Sequence, residues 1–404
     1  MKVLVVSNLY PPDYIGGLEL SAQKTVEGLR ARGHEVEVLT RRPPASVTVP
    51  EEAHVHRLLH FTPEITDEEL RRKHPRMHGW WPLYLRLRAA KPNLPIVQDF
   101  LRGRRYDVSM FFGMHNIGPA LFHPLDRAGI PVLWNMGDYF MLEQQRIEAT
   151  SRLAALNLSV FSRRWFGLFR SIRYDFVSFN SHFLESRYRA GGFPMKHSFV
   201  IHRGIDFPVI SDDDLAKPRE PIFLVACQLE RHKGIHIAIE AASLLREKDW
   251  RMEIIGDGPE PYRTEVRHLV GDLGLDDRIA FLGRRPHPEV VSAMRSAIAF
   301  INPPIWDEPF GRTSIEAMAC GAPLINSDSG AIHEIAEDGV SALIYPKEDA
   351  SALAARMAHV LDDAALRLAL ARAGAQRVRE AFTIDAVLDK TEAVLGEVLR
   401  LAKG

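Results

Sequence analysis

The sequence predicts an α/β protein made of two doubly wound, Rossmann-like domains. Three observations carry this. The chain has 404 residues, more than one hydrophobic core usually serves. Short apolar runs rich in Val, Ile and Phe alternate with longer helical patterns, which is how βα units with a buried parallel sheet read. The alternation occurs twice, once on each side of a break near Asp206–Pro221.

In the first half the runs are Val3–Val6, Val36–Leu39, Val108–Phe112, Val132–Trp134 and Phe176–Phe179. The break holds three prolines and a charge-rich middle without periodicity, which predicts an interdomain linker. The runs resume at Ile222–Ala226, Met252–Ile255, Ile279–Leu282, Ile298–Ile301 and Pro323–Ile325. Thr383–Leu401 has apolar residues at helical spacing behind a Thr cap, so a long amphipathic helix is expected at the end. The expected domains are 1–205, 206–382 and the helical segment 383–404.

Composition narrows the function classes. Lys plus Arg (51) nearly balance Asp plus Glu (52), which does not suggest a nucleic-acid binder. Two cysteines, Cys227 and Cys320, cannot build a disulfide framework and suit a reducing compartment. The opening MKVLVVSNLY is too short in its apolar run for a signal peptide, and no apolar run is long enough to span a membrane. A cytoplasmic location is expected, with peripheral contact at an inner membrane face. That contact is suggested by Arg71–Arg105, which has ten Lys or Arg, one acid, and Trp80, Trp81 and Tyr84 interleaved. Ser162–Arg173 has four Arg and no acid. A pair of solvated helices explains both stretches equally well.

Three segments have the residue types of a ligand site. After the first strand, Gly16 and Gly17 precede a helix expected from about Leu18, where a close backbone and free N–H groups suit a phosphate. A turn that needs positive φ is the plainer reading. The spacing is neither G-x-G-x-x-G nor G-x-x-x-x-G-K-[ST], which disfavours dinucleotide and Walker-type sites. After the strand ending near Cys227, Arg231, His232 and Lys233 crowd a loop closed by Gly234. Cations at the C-terminal end of a parallel strand sit where open α/β sheets bind ligands, and would meet a pyrophosphate.

The third segment is WDEPFGRTSIEAMACG, Trp306–Gly321. Seven residues separate Glu308 from Glu316. Thr313 and Glu316 have capping-box spacing, so a helix is expected to start at Thr313. Gly311, Arg312 and Thr313 would aim N–H groups at an anion, and the two acids would accept hydrogen bonds from sugar hydroxyls.

At this point the chain resembles the large retaining family of GT-B-fold glycosyltransferases that use nucleotide-sugar donors. The matching pieces stand in order: LERHKG, IIGDGPE, IAFLGR, DEPFGRTSIEAMACGAPLINSDSG and EIAEDGVSALIYP. PPDYIGG, LRARGHEVEVLT and YDVSMFFGMH match more weakly in the first half. The resemblance implies a donor in a cleft between the two domains and a final helix crossing back to the first. It implies that Glu316 holds the ribose hydroxyls and Glu308 faces the transferred sugar. Lys233 would contact the pyrophosphate, and Gly17 the phosphates from the other side. The loops around Gly256 and Gly283 would flank the base, and Phe310, Gly311, Arg312 and Thr313 would line the donor. The implied reaction keeps the anomeric configuration and requires no metal or other cofactor.

Two positions depart from the family pattern. An arginine is usual five residues before the motif lysine, where this chain has Gln228; Arg231 is the candidate to supply that charge. A histidine is usual after PVLWNMGDYF's strand, where this chain has Gly137 followed by Asp138. Asp138 and His115 are the candidates for that role, and a cap and a surface-loop histidine are their plainer readings. The alternatives are a sugar-nucleotide epimerase of the same fold, a non-catalytic sugar-nucleotide binder, and an NAD-dependent dehydrogenase. UDP-sugars and GDP-mannose fit the motifs equally, and the acceptor is a glycan, a lipid-linked sugar or a small molecule.

Overall fold

The computed structural model describes residues 1–14, 17–44, 47–61, 81–143 and 171–404. The chain forms two compact units, Met1–Ile201 with Leu388–Gly404, and His202–Val387.

The first unit has seven parallel strands: β1 (Lys2–Ser7), β2 (Glu35–Arg41), β3 (Val55–Leu59), β4 (Val108–Phe112), β5 (Val132–Met136), β6 (Tyr174–Phe179) and β7 (Met195–Val200). Their spatial order is β3-β2-β1-β4-β5-β6-β7. Helices α1 (Gly17–Ala31), α2 (Trp81–Leu101), α3 (Phe122–Arg127) and α4 (His182–Ala190) connect them. The second unit has α5 (Asp212–Leu215), β8 (Glu220–Ala226), α6 (Ile235–Ser243), β9 (Arg251–Ile255), α7 (Glu260–Asp272), β10 (Ile279–Gly283), α8 (His287–Ser296) and β11 (Ala297–Asn302). It continues with α9 (Arg312–Ala319), β12 (Leu324–Ser327), α10 (Ile332–Ile335), β13 (Leu343–Tyr345), α11 (Ala350–Asp362) and α12 (Ala364–Ala381). Its sheet is also parallel, in the order β10-β9-β8-β11-β12-β13. Helix α13 (Ile384–Lys403) closes the chain.

Nine of the ten apolar runs lie within strands, and the tenth, Pro323–Ile325, enters β12 at Leu324. Central parallel strands are buried on both faces, so their sequences are nearly continuous apolar: Val3, Leu4, Val5 and Val6 are fully buried. The strands that the runs do not reveal are β3, β7 and β13, all at sheet edges. β3 buries only Leu59, β7 stays partly exposed throughout, and β13 has only three residues. An edge strand has one pairing partner and needs less apolar sequence.

The expected linker is a correction. Asp206–Pro221 belongs to the second unit, and its middle is folded. Ser211 caps α5 by accepting from the Asp214 N–H at 3.2 Å, and Ile210 and Leu215 are buried against Ala371 and Ala375 of α12. Four apolar positions spaced among charges gave no period to read. The unit division also falls at 201/202 instead of 205/206. Ile205 donates its N–H to the Phe382 carbonyl at 2.8 Å and accepts from the Ile384 N–H at 3.0 Å, which ties residues 202–205 into the second unit.

The chain passes back to the first unit within α13, at Val387/Leu388. The helix starts at the expected cap, with Thr383 Oγ1 accepting from the Ala386 N–H at 3.3 Å. Inside the first unit, Arg32 bridges Asp389 at 2.6 Å and Glu392 at 2.7 Å, and Leu388 covers Gly28 so closely that a β-carbon there would lie 2.3 Å from it. Among the described residues no helix is long and apolar enough to cross a membrane.

The side chains of residues 62–90 and of 144–170 lie outside the described residues, which removes Trp80, Trp81, Tyr84 and most of both basic stretches from view. In the described remainder, Arg104 lies over the Phe100 ring at 4.4 Å and Arg102 pairs with Asp99 at 2.7 Å.

Candidate functional site

Each sheet has one place where successive strands depart in opposite directions, and open α/β sheets bind ligands outside the strand ends there. In the second unit that place lies between β8 and β11, which pair side by side although β9 and β10 intervene in sequence. The loop after β8 carries Lys233, and the loop after β11 carries Glu308. The topology brings them together: Lys233 Nζ donates to Glu308 Oε1 at 2.6 Å. Both side chains are largely shielded, at 17% and 14% exposed, and the Lys233 ammonium lies 5.4 Å from the Trp306 ring centre.

Polar residues at two strand ends support Glu308. Asn302 Nδ2, closing β11, lies 3.3 Å from Glu308 Oε2, 3.0 Å from Ser314 Oγ and 2.9 Å from Asn326 Oδ1 on β12. Asn302, Ser314 and Asn326, the three members of this buried cluster, escaped the sequence reading. The signal was there, since AIAFIN and LINS are apolar strands that end in polar residues at the edge where a ligand would sit.

The structure corrects the capping box. α9 starts at Arg312, one residue early, with Gly311 as its N-cap in the left-handed region and no side-chain cap. Thr313 therefore sits in the first turn, where its N–H and that of Arg312 belong to the unpaired set at a helix start. Glu316 lies a full turn inside and is free of capping. It is buried, and its Oε1 is met by Arg312 Nε at 3.0 Å and His287 Nε2 at 3.3 Å. Phe310 turns inward, stacked on His202 at 5.6 Å and edge-on to Phe382 at 6.1 Å, so it braces the loop from beneath.

The basic loop holds fewer cations than its sequence suggests. Burial, and then the charge of Lys233, push the His232 imidazole below its ordinary value, which favours its neutral form. Arg231 is mostly exposed and pairs with Glu265 of α7. Gly256 follows β9 and Gly283 ends β10, both at the same C-terminal edge of the sheet.

In the first unit the corresponding place lies between β1 and β4. Asn8 after β1 and Asn116 after β4 are joined by reciprocal bonds of 2.9 and 3.1 Å. His115 and Asp138, at the ends of β4 and β5, come together with Nε2 and Oδ2 3.4 Å apart. They line a small cavity with Leu18, Trp134 and Phe140. Asp138 also has its plainer role, because Oδ1 accepts from the Phe140 N–H at 2.9 Å. Gly17 opens α1 as its first residue; Gly16 lies outside the described residues.

A family model described as glycosyl transferases group 1 matches residues 206–377, and one described as glycosyltransferase family 4 matches residues 15–207. Together they take in nearly the whole chain, with a junction beside the observed unit division. The chain belongs to the group 1 glycosyltransferases. This glycosyltransferase is 28% identical to the glycogen synthase of Mycobacterium tuberculosis over 98% of its own length and 94% of that protein. It is 32% identical to the phosphatidyl-myo-inositol mannosyltransferase of Mycolicibacterium smegmatis over 44% of its length and 46% of that protein. Against three other curated relatives the chain spans 58%, 43% and 60% of their lengths. Among solved structures, Anabaena HepE in complex with UDP and glucose superposes with a TM-score of 0.69 at 20% identity, covering 98% of this chain and 99% of that one. At that identity the likeness shows the fold, which is the GT-B fold of this glycosyltransferase family.

Proposed function

We propose that this glycosyltransferase moves a sugar from a nucleoside-diphosphate sugar to an acceptor hydroxyl with retention of configuration and without a metal ion. The observation that supports this most is the shielded Lys233–Glu308 pair beside the start of α9, with Glu316 one turn further along the same helix. Lys233 exchanges Glu308 for the donor diphosphate and stabilises the charge that develops as it leaves. Glu308, released, accepts from hydroxyls of the transferred sugar, and Glu316 accepts from the ribose. The bond from the anomeric carbon to the diphosphate oxygen breaks, and a bond to the acceptor oxygen forms on the same face. The acceptor proton leaves on the departing diphosphate, so no side-chain nucleophile is needed. His115 and Asp138 are assigned to the acceptor side of the reaction, and the acceptor is a glycan, a lipid-linked sugar or a small molecule. A strict Mn²⁺ requirement would refute the metal-free scheme.

The test is a thermal-shift screen with UDP, GDP, ADP and TDP sugars, followed by transfer assays on whichever donor binds. A ligand of the folded state alone must raise the melting temperature. If none of the four raises it, the donor reading fails.

Two substitutions probe the assignments. Glu308→Gln removes the anion that competes for Lys233. Nucleoside diphosphate is expected to bind the same or several-fold tighter while turnover falls by about 10-fold or more. Weaker diphosphate binding would mean that Glu308 serves the nucleotide directly. Arg231→Ala is expected to weaken donor binding if Arg231 leaves Glu265 for the pyrophosphate. Unchanged affinity in a titration removes Arg231 from the site and leaves Gln228 uncompensated.

A further inference from the structure

We propose that His287 is a positioning residue for nucleotide binding, which fixes the Glu316 carboxylate so that its second oxygen meets the ribose hydroxyls. This rests on the ribose role of Glu316 proposed above.

Glu316 is buried, yet only Oε1 has partners among the described residues. Of the two groups on Oε1, Arg312 Nε is close at 3.0 Å but lacks hydrogen-bond geometry. Its guanidinium is also drawn toward Asp206, 3.9 Å away. The properly directed bond comes from His287 Nε2 at 3.3 Å. A carboxylate free to turn presents either oxygen, whereas one pinned at Oε1 keeps Oε2 as the acceptor.

His287 is well placed to act as that pin. It is the first residue of α8, directly after Pro286, whose ring fixes the entry to the helix. Its ring lies edge-on to Phe207, with centroids 5.8 Å apart. About half of its side chain is exposed, whereas that of Glu316 is 8% exposed.

The charges around it set when the pin is strong. Glu316 and Arg312 face His287 from α9, and Asp206 from the segment ahead of α5. Two acids and one arginine leave this cluster one negative charge, which a protonated His287 balances. The hydrogen bond to Glu316, with the charges of Glu316 and Asp206, outweighs burial and Arg312 and raises the His287 value. The charged contact is therefore complete below the ordinary imidazole value of about 6.5 and is lost as the pH climbs through the raised one.

The experiment is titration calorimetry of UDP and GDP against their 2′,3′-dideoxy forms, at several pH values between about 6 and 9. The wild type should prefer the ribose form, and the preference should shrink as pH rises. His287→Ala should reduce that preference by roughly 5-fold at low pH while changing dideoxy binding little. His287→Gln keeps an N–H donor without the charge, and should restore part of the preference with a flat pH profile. Equal losses for ribose and dideoxy forms in His287→Ala would overturn the inference, because a ring that only props the loop cannot tell them apart. A wild-type preference independent of pH would also overturn it. A wild type that binds UDP or GDP without ribose preference would overturn the role of Glu316. One that binds neither is titrated with ADP and TDP as well, and binding of none of the four would overturn the donor reading, and this inference with it.

Discussion

Lys233→Met is expected to reduce transfer by about 10²–10³-fold at saturating donor, the usual loss when one preorganised partner of a developing charge is removed. Two effects must be separated. The variant removes the cation proposed to meet the departing diphosphate. It also strands Glu308, which is largely shielded and, among the described residues, keeps only Asn302 as a donor, at 3.3 Å. Breaking a fully buried ion pair costs about 3–5 kcal/mol, and the partial exposure here lowers that to about 1–3 kcal/mol. The single variant should therefore melt earlier as well as turn over more slowly. Lys233→Met/Glu308→Gln removes both charges, so it should regain most of the melting temperature and none of the transfer. Recovered transfer in the double variant would mean that Lys233 only neutralises Glu308 and does no work on the diphosphate.

Gly330→Ala should be nearly as damaging, through the backbone alone. Gly330 has φ 55°, and a β-carbon there would lie 1.9 Å from the Glu308 carbonyl oxygen and 2.6 Å from its nitrogen. Neither atom belongs to a flexible side chain, so the two loops must part and break the Ala331 N–H bond to the Glu308 carbonyl, now 3.1 Å. The expected loss is about 2–4 kcal/mol of stability, from overpacking plus the left-handed backbone. Transfer should fall about 100-fold, because a catalytic group displaced by about 1 Å loses that order of rate. Gly339→Ala is the control. Gly339 has φ 74° with no atom within 4 Å of the added carbon, so it should cost about 1 kcal/mol and leave transfer unchanged. Chemical denaturation and initial-rate assays on the two variants separate strain from displacement. Equal effects on rate would remove the Glu308 contact from the explanation.

Much of the fold was legible because the central strands are buried on both faces and must be apolar for their whole length. Val3–Val6 and Ile298–Ile301 declare themselves in that way. Glu308 and Glu316 were legible because two acids around a glycine turn, at the mouth of a helix, are unusual in a loop that could be neutral. The helix start was misread by one residue, because Gly311 takes the N-cap by backbone conformation while Thr313 and Glu316 only have the spacing of a capping box.

The sequence by itself determined the layers: two parallel sheets, the helices that cover them, and the loops in which charged residues gather. Burial imposes a local pattern on every central strand, and that pattern survives in a linear reading. Tertiary structure decided which of those residues meet. Lys233 reaches Glu308 only because β11 returns to lie against β8, and 75 positions separate them in the chain. His115 reaches Asp138 across β4 and β5, and His287 reaches Glu316 from α8 to α9. Pairings of this kind depend on strand order, which no local pattern encodes. For that reason the candidate site could be listed from the sequence but not assembled from it.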